Sequence, residues 1–104
     1  MLTPEGRVKA GIRAALKAVG AYQFWPVQTG YGSSTLDCLA CVPLLGEGHF
    51  LGIEVKRADG PARPTLRQRL AMEAIRAAGG RAVCINDPDD FARRLEALQR
   101  YAAR

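Results

Sequence analysis

The sequence predicts an α/β fold: one layered domain over residues 1–104, with the element order α-β-β-β-α-β-α and a mixed central sheet flanked by helices. Three observations support this prediction. Three segments repeat apolar residues at the helical spacing, and four short apolar runs have the length of strands. In the second half of the chain, the order strand, helix, strand favours a crossover and a parallel pair of strands. The chain is long enough for one hydrophobic core.

The first helix is predicted to begin after Thr3, which can cap it, with Pro4 at the first helical position, and to end at Gly20. Its apolar stripe consists of Val8, Ile12, Leu16 and Val19. Glu5 lies within about 60° of this stripe, so an acid occupies the first turn of the buried face. Two roles are open for Glu5: a charge at the positive end of the helix dipole, or an acid that points into a functional site.

The next elements are predicted to be three strands. Residues 21–27 form an aromatic-rich strand, and the Gly/Ser-rich residues 28–34 form a loop. Segments 36–42 and 50–56 are largely apolar, and we expect them to pair as a hairpin through a loop from Pro43 to His49. This hairpin would bring the beginning of one strand beside the end of the other.

A second helix is predicted from Thr65 to Ala78, before Gly79-Gly80, with Thr65 and Gln68 as a T-x-x-Q capping box. Its predicted inner face consists of Leu66, Leu70, Ala71, Ala74, Ile75 and Ala78, with Gln68 near the edge. Residues 81–86 form a short strand that should lie parallel to segment 50–56. Asp87 can cap a last helix from Pro88 to about Ala102. Its predicted inner face consists of Phe91, Leu95, Leu98 and Tyr101.

Asp37, Glu54 and Lys56 place ionisable groups in apolar strands, where a charge is costly unless it is paired or binds a metal ion. Side chains alternate along a strand, so Glu54 and Lys56 project to the same face. Sixteen residues separate Asp37 from Glu54. Through the hairpin, both carboxylates are expected to converge on one cation beside the ammonium group. The alternative is an internal ion pair between Glu54 and Lys56 on a half-exposed sheet face.

Two carboxylates beside a lysine suit the hydrolysis of a phosphodiester with the help of a Mg²⁺ or Mn²⁺ ion. Asp37 and Glu54 are the expected ligands, and the backbone carbonyl of Val55 is a candidate third. Lys56 would orient or deprotonate the attacking water, or stabilise the developing charge. Glu5 could reach a second ion or its water shell. The sequence therefore predicts a metal-dependent catalytic site.

Fifteen Lys and Arg residues against ten Asp and Glu give a net charge of +5, which favours a nucleic-acid partner. Arg57, Arg63 and Arg67 follow the proposed catalytic strand and are candidate phosphate contacts. The alternative for them is a solvated loop and helix face. Tyr31 lies between two glycines that let the backbone approach a sugar-phosphate, so Tyr31 and Ser34 are further candidate contacts. The same glycines suit a simple turn.

Three cysteines cannot all pair, which fits a reducing compartment. Cys38 and Cys41 spell C-x-x-C, but they would point to opposite faces of a strand, and His49 is the lone histidine, which argues against zinc. No apolar run approaches the ~20 residues of a membrane span. We therefore expect a cytoplasmic protein with no membrane partner and no organic cofactor.

Asp37, the run Glu54-Val55-Lys56, and Gln68 in a helix that ends at Gly79-Gly80 resemble the virus-type replication-repair nuclease (VRR-NUC) domain of the PD-(D/E)XK nuclease superfamily. The resemblance covers nearly the whole chain and implies a restriction-endonuclease-like core. It implies that Asp37, Glu54 and Lys56 are the metal-binding and catalytic residues. Glu5 and Gln68 would support them.

The resemblance also implies Mg²⁺- or Mn²⁺-dependent cleavage of DNA, selective for structure rather than sequence, by an enzyme of bacterial or phage origin. Small stand-alone members act on four-way (Holliday) junctions as homodimers, so the expected partners are branched DNA, such as junctions or flaps, and a second copy of the chain. The Trp25 region and the C-terminal helix are candidate dimer contacts. One departure from the family is Thr35-Leu36, where a proline commonly precedes the first acid.

Two other functions remain open. In the first, the chain is a non-catalytic or partner-dependent nucleic-acid-binding module, in which the acids are structural and the arginine cluster binds phosphates. In the second, it is an RNA-directed or restriction-type nuclease on the same fold, although sequence readout normally needs additional elements that reach base edges. Metal-dependent cleavage would exclude the first of these.

Overall fold

The computed structural model describes residues 2–27 and 35–102. Its elements in chain order are α1 (Pro4–Ala18), β1 (Tyr22–Phe24), β2 (Cys38–Leu44), β3 (Glu47–Val55), α2 (Leu66–Ala77), β4 (Arg81–Ile85) and α3 (Pro88–Ala102). The predicted α/β class and the order α-β-β-β-α-β-α are confirmed. Tyr31 and Ser34, the candidate contacts in the loop of residues 28–34, lie outside the described residues.

Four strands form one mixed sheet in the order β1-β2-β3-β4. The pairs β1–β2 and β2–β3 are antiparallel, whereas β3–β4 is parallel. The parallel pair follows from the crossover through α2, as the order of elements predicts. In the part of the chain that the structure describes, no helix is long and apolar enough to cross a membrane.

A two-residue turn joins β2 to β3. Leu44 pairs with Glu47, and the two residues between them, Leu45 and Gly46, have φ angles of 52° and 79°. Positive φ at both central positions is typical of the type I′ turn, whose twist matches that of the flanking strands. The predicted loop from Pro43 to His49 was therefore too long. The sequence lacks the usual Asn-Gly or Asp-Gly signal for such a turn.

Helices cover both faces of the sheet, so β3 is buried from Leu51 to Val55. The main core lies between α1, α3 and one face of the sheet, and includes Val8, Ile12, Leu16, Ile53, Val55, Phe91 and Leu95. On the other face, Met72 of α2 packs with Leu36 and Ala82. Full burial of one such large apolar side chain stabilises the fold by about 1.5–3 kcal/mol. Among the described residues, Glu54 is the one charged side chain in this interior.

Helix α2 presents a different face to the sheet from the predicted one. Met72 is buried and Ile75 partly buried, whereas Leu66 and Leu70 are 65% and 56% exposed. The exposed positions of the predicted inner face are Leu66, Leu70, Ala74 and Ala78. The prediction was correct for Ala71 and Ile75 and wrong for these four residues, because α2 carries apolar residues on two faces and periodicity does not choose between them. Gly52 favours the observed face, because a Cβ there would lie 2.7 Å from Cδ1 of Ile75.

Helix α3 follows Asp87, whose Oδ1 accepts a hydrogen bond from the backbone N–H of Asp89 at 2.9 Å. Phe91 and Leu95 are buried as predicted. Tyr101 is 71% exposed, so the prediction that it faces inward was wrong. It lies in the last turn of the helix, beside the β2–β3 turn and beyond the main core.

Candidate active site

The beginning of β2 and the end of β3 bring two carboxylates side by side. Cys38 is paired with Ile53, so Asp37 and Glu54 are the next residues along the two antiparallel strands. Both acids point toward the α2 face, because Cys38 and Ile53 are buried on the other face and side chains alternate. Oδ2 of Asp37 accepts a hydrogen bond from the backbone N–H of Val55 at 2.9 Å. This bond fixes the Asp37 carboxylate against β3.

Glu54 holds a proton more tightly than an ordinary glutamate does. Burial, the hydrogen bond with the Asp37 side chain and the charge of Asp37 together raise the pKa of Glu54 from 4.5 to about 8. Lys56 acts in the opposite direction and lowers this pKa. At neutral pH the metal-free pair therefore keeps a proton on Glu54. A second negative charge in this interior requires a nearby cation.

Gln68 links Glu54 to Lys56. Its Nε2 donates to Oε2 of Glu54 at 2.9 Å, and its Oε1 accepts from Nζ of Lys56 at 2.8 Å. The direct distance from Nζ of Lys56 to Oε2 of Glu54 is 3.8 Å. The Lys56–Glu54 contact that the alternative interpretation required is therefore present, but Glu54 keeps its proton at neutral pH and Gln68 bridges the two side chains. It is part of a larger network that also contains Asp37.

The capping role and the site role of Gln68 are not alternatives. The backbone N–H of Thr65 donates to Oε1 of Gln68 at 2.9 Å, and the backbone N–H of Gln68 donates to Oγ1 of Thr65 at 3.2 Å. These two bonds form a capping box at the beginning of α2. The same Oε1 also accepts from Lys56. The Gln68 side chain therefore caps the beginning of α2 and also orients Lys56 and Glu54.

A hollow of about 210 Å³ opens onto the two acids. Its lining residues are Thr35, Leu36, Asp37, Glu54, Thr65, Arg67, Gln68 and Ala71. Arg67 brings a guanidinium group to a hollow that otherwise presents acids and neutral groups. An anionic group and a cation between the carboxylates could both be accommodated here.

The three candidate arginines have different surroundings. Arg67 lines the hollow, and Arg63 is exposed in the connection to α2. Arg57 makes two hydrogen bonds to the carboxylate of Asp59, at 2.9 and 2.8 Å. This pairing raises the pKa of Arg57 and lowers the pKa of Asp59. The sequence analysis missed Asp59 as a competitor for Arg57, although an acid two residues from an arginine is a visible signal.

Glu5 lies apart from the carboxylate pair. It forms an ion pair with Lys9 at 3.4 Å, in the first two turns of α1. Among the described residues, no group of three or more His, Cys, Asp and Glu side chains could hold a metal ion. Within those residues, the structure brings together two acids and not three. A catalytic role for Glu5 stays a prediction.

Asn86 is a second residue that the sequence analysis missed. Its Nδ2 donates to the backbone carbonyl of Gly60 at 2.7 Å, which ties the end of β4 to the connection that carries Arg57 and Arg63. An amide side chain directly after a buried strand was the available signal. Asn86 thereby fixes the path of the chain between Lys56 and α2.

The cysteines and the tryptophan have structural surroundings. Cys38 is buried and Cys41 is exposed, so the C-x-x-C pair points to opposite faces, as expected. Burial raises the pKa of Cys38 to about 11. Trp25 packs against the main core, with the guanidinium of Arg13 4.3 Å from its ring centre and its Nε1 bonded to Oε1 of Gln23 at 2.9 Å. These contacts within the chain favour a core role for Trp25 over a dimer contact.

No protein-family model and no curated protein matches the sequence. Among solved structures, the chain is similar to a VRR-NUC domain, with a TM-score of 0.62 and 25% sequence identity over 77% of this chain and 81% of that domain. The fold is that of a VRR-NUC domain. The resemblance inferred from the sequence is confirmed.

The VRR-NUC fold supports the assignment of a nuclease domain. The residues on which the resemblance was based, Asp37, Glu54, Lys56 and Gln68, are those that meet at one end of the sheet. Their positions follow from the β2–β3 hairpin and from the first turn of α2. The strand pairing and the capping box therefore bring these four residues together.

Proposed function

We propose that this VRR-NUC domain hydrolyses phosphodiester bonds of DNA with the help of Mg²⁺ or Mn²⁺, and that Asp37 and Glu54 bind the ion. The observation that carries this proposal is the buried Glu54 carboxyl against Asp37, with a pKa of about 8. Two acids forced together in an apolar sheet are costly for folding alone. A divalent cation between them would remove that cost and the proton.

The donor groups fit a hard cation. Mg²⁺ takes oxygen ligands and keeps several waters, so it needs only one or two protein carboxylates. The carbonyl of Val55 is a candidate third oxygen, since the N–H of Val55 points to Asp37 and both groups of one strand residue face the same side. When bound, the ion would polarise the phosphate and activate a water molecule. A two-carboxylate site leaves room for both.

Lys56 and Gln68 would act around the reacting phosphate. The Lys56 side chain is 23% exposed, and its ammonium group is held 2.8 Å from Oε1 of Gln68, a residue that lines the hollow. From there it would orient the attacking water or stabilise the charge that develops on the phosphoryl oxygens. Gln68 would act as a positioning residue for Lys56 and Glu54, and Glu5 would support a water shell at the edge.

DNA would approach over the basic side of the site. Arg67 lies in the hollow and would hold a phosphate next to the acids, with Arg63 further along the backbone. Arg57 would contribute less, because Asp59 already occupies its guanidinium group. Tyr31 and Ser34 are proposed as further contacts. We propose branched DNA, such as four-way junctions or flaps, as the substrate and a homodimer as the active form, in the cytoplasm of a bacterium.

The test is cleavage of labelled four-way junction, flap and plain duplex DNA in Mg²⁺, Mn²⁺ or EDTA. We expect cutting of the branched substrates with either metal and none in EDTA. Glu54→Gln and Asp37→Asn should lose more activity than the 10–100-fold that loss of an outer partner of a metal site typically costs. Glu47→Gln is the matched control, because Glu47 is an exposed acid on the same strand, and it should cut like the unaltered protein.

Two results would contradict the proposal. Cleavage that persists in EDTA, or in both acid variants, would show that Asp37 and Glu54 do not bind a metal ion needed for cleavage. DNA binding without cleavage under every condition would favour the non-catalytic or partner-dependent binding module. Light scattering tests the dimer separately, because a homodimer has twice the 11.2 kDa mass of one chain.

A further inference from the structure

Next to the candidate active site, the sheet carries an exposed apolar surface that no helix covers in the described part of the chain. It consists of Tyr22, Phe24, Leu39, Cys41 and Phe50, and we refer to it as the aromatic face. Its three rings are strongly exposed: Tyr22 by 72%, Phe24 by 52% and Phe50 by 45%. Exposed aromatic rings grouped on one surface commonly mark an interaction site.

Strand register places these side chains on one face. Tyr22 is paired with Cys41, Phe24 with Leu39, and Cys41 with Phe50. Directly paired residues point to the same side of a sheet, and residues two apart on one strand do so as well. Helix α2 packs on β3 and β4, and within residues 2–27 and 35–102 the rings of Tyr22 and Phe24 stay exposed beside it. The aromatic face is therefore one surface built from three neighbouring strands of the sheet.

The aromatic face continues from the two carboxylates. Asp37 and Leu39 are two residues apart on the chain and project to the same side. At about 3.4 Å per residue, the Phe24–Leu39 row lies about 7 Å from Asp37, and the Tyr22–Cys41–Phe50 row about 14 Å. A strand of DNA whose phosphate lies at the carboxylates must leave the site over a neighbouring surface. One such surface is basic, and this one is aromatic.

We propose that the aromatic face stacks the unpaired bases of a DNA strand that leaves the active site, and that it selects branched or frayed DNA over intact duplex. This inference rests on the proposed nuclease function. Aromatic side chains on a sheet bind exposed bases of any sequence, because every base has a π-face. In an intact duplex both faces of each base are covered by its neighbours. Only unpaired nucleotides offer a free face.

The aromatic face and the hollow that contains Arg67 are expected to bind different parts of the DNA. None of the five residues of the aromatic face is charged, so it adds no attraction for phosphates. Arg67 in the adjoining hollow supplies that attraction to paired and unpaired DNA alike. The ratio of affinities for the two kinds of DNA therefore depends on the rings. Their contribution is expected to be insensitive to sequence.

A second copy of this chain is the competing occupant, because aromatic, uncharged surfaces are also typical of the centre of protein interfaces. The location argues against it. A protein seated on the aromatic face would lie one strand repeat, about 7 Å, from Asp37. It would then occupy a surface over which DNA could leave the carboxylates.

The test uses a fluorescein-labelled splayed-arm DNA and a blunt duplex with the same paired region, both in EDTA so that nothing is cut. The double variant Tyr22→Leu/Phe24→Leu keeps apolar side chains on β1 but removes the flat rings. Loss of stacking at one base typically weakens binding by about 5- to 150-fold. We expect at least a fivefold loss for the splayed arm and less than twofold for the duplex. Tyr101→Leu, an equally exposed ring on α3, should change neither.

A second readout locates the bases directly. With 5-iodouracil at the first or second unpaired nucleotide, irradiation should cross-link peptides that contain Tyr22, Phe24 or Phe50 in the unaltered protein. Equal losses for both DNAs, an unchanged double variant, or cross-links confined to other peptides would overturn the proposal. So would a dimer that the double variant converts to a monomer, which would assign the face to a second copy.

The two proposals fail separately. Selective loss of splayed-arm binding is measured without metal, so it can be seen even in a protein that cuts nothing, and only the proposed nuclease function would then fail. Metal-dependent cutting together with unchanged DNA binding by the double variant would support the proposed nuclease function and contradict the proposed base-stacking role of the aromatic face. Circular dichroism of each variant shows whether the fold is retained.

Discussion

Glu54→Gln is expected to stabilise the metal-free protein, by an amount that grows with pH. The glutamine can accept the hydrogen bond from Gln68, but it carries no proton to lose. Below pH 4.5 the Glu54 carboxyl is protonated in both the folded and the unfolded chain, so it has no cost there. Between pH 4.5 and about 8 the unfolded chain loses the proton and the folded chain keeps it. The unaltered protein therefore loses stability as pH rises.

The size of the effect follows from the same pKa. Each pH unit between the two values costs about 1.4 kcal/mol, so the penalty reaches about 3 kcal/mol at pH 7 and levels off near 5 kcal/mol above pH 8. A small domain has a total stability of about 5–15 kcal/mol. The carboxyl therefore removes a large share of it. Addition of Mg²⁺ at pH 8 should return part of that stability to the unaltered protein and none to the variant.

Urea unfolding in EDTA at pH 5, 7 and 9 measures the difference, with the fluorescence of Trp25 as the signal. The free energy of unfolding of Glu54→Gln should exceed that of the unaltered protein by a margin that widens from pH 5 to pH 9. Glu73→Gln removes an exposed acid from α2, and its margin should not change with pH. A margin for Glu54→Gln that stays the same at all three pH values would refute the account of this site.

Three further predictions concern the neighbours of Glu54. Lys56→Met removes the cation that lowers the pKa of Glu54, so carboxyl NMR should place that pKa above about 8. An unchanged pKa would show that the charge of Lys56 does not act on Glu54. Gln68→Ala removes the capping-box bond from the N–H of Thr65 to Oε1 and the bond to Glu54, and should cost about 1–2 kcal/mol in urea unfolding, with cleavage reduced as well. Arg67→Ala should reduce the slope of log Kd against log salt for DNA by about 1, whereas Arg57→Ala should change it little; equal slopes would contradict the assignment.

The sequence was sufficient to locate the acids, because charges in apolar strands are rare and strand alternation sets their direction. It was not sufficient for the hairpin, since the turn at Leu45-Gly46 uses a leucine at a φ of 52°, which local preferences do not predict. The pairing of Asp37 with Glu54 was nevertheless correct. A long loop and a two-residue turn give the same paired residues when both strands are lengthened toward the turn by the same number of residues.

Helix α2 shows where periodicity is insufficient. Leu66 and Leu70 follow the helical repeat as well as Met72 and Ile75 do, so the sequence alone offers two buried faces. Contacts with the sheet decide which face is buried, because Gly52 leaves room for Ile75 and Glu54 accepts a hydrogen bond from Gln68. The aromatic face was not predicted for a similar reason. Its members come from three strands, and only strand pairing brings them together.

Gln68 of α2 orders Lys56 and Glu54, and this has a consequence for the newly made chain. Synthesis delivers Asp37, Glu54 and Lys56 before it delivers α2, so a chain made only as far as residue 60 carries the two acids and the lysine but not the amide that orders them. Because the capping box and the site share that amide, fraying of the first turn of α2 also releases Lys56. A fragment that ends before α2, or a chain damaged there, therefore lacks the amide that orders Lys56 and Glu54, and the ordered site exists only after the helix has formed.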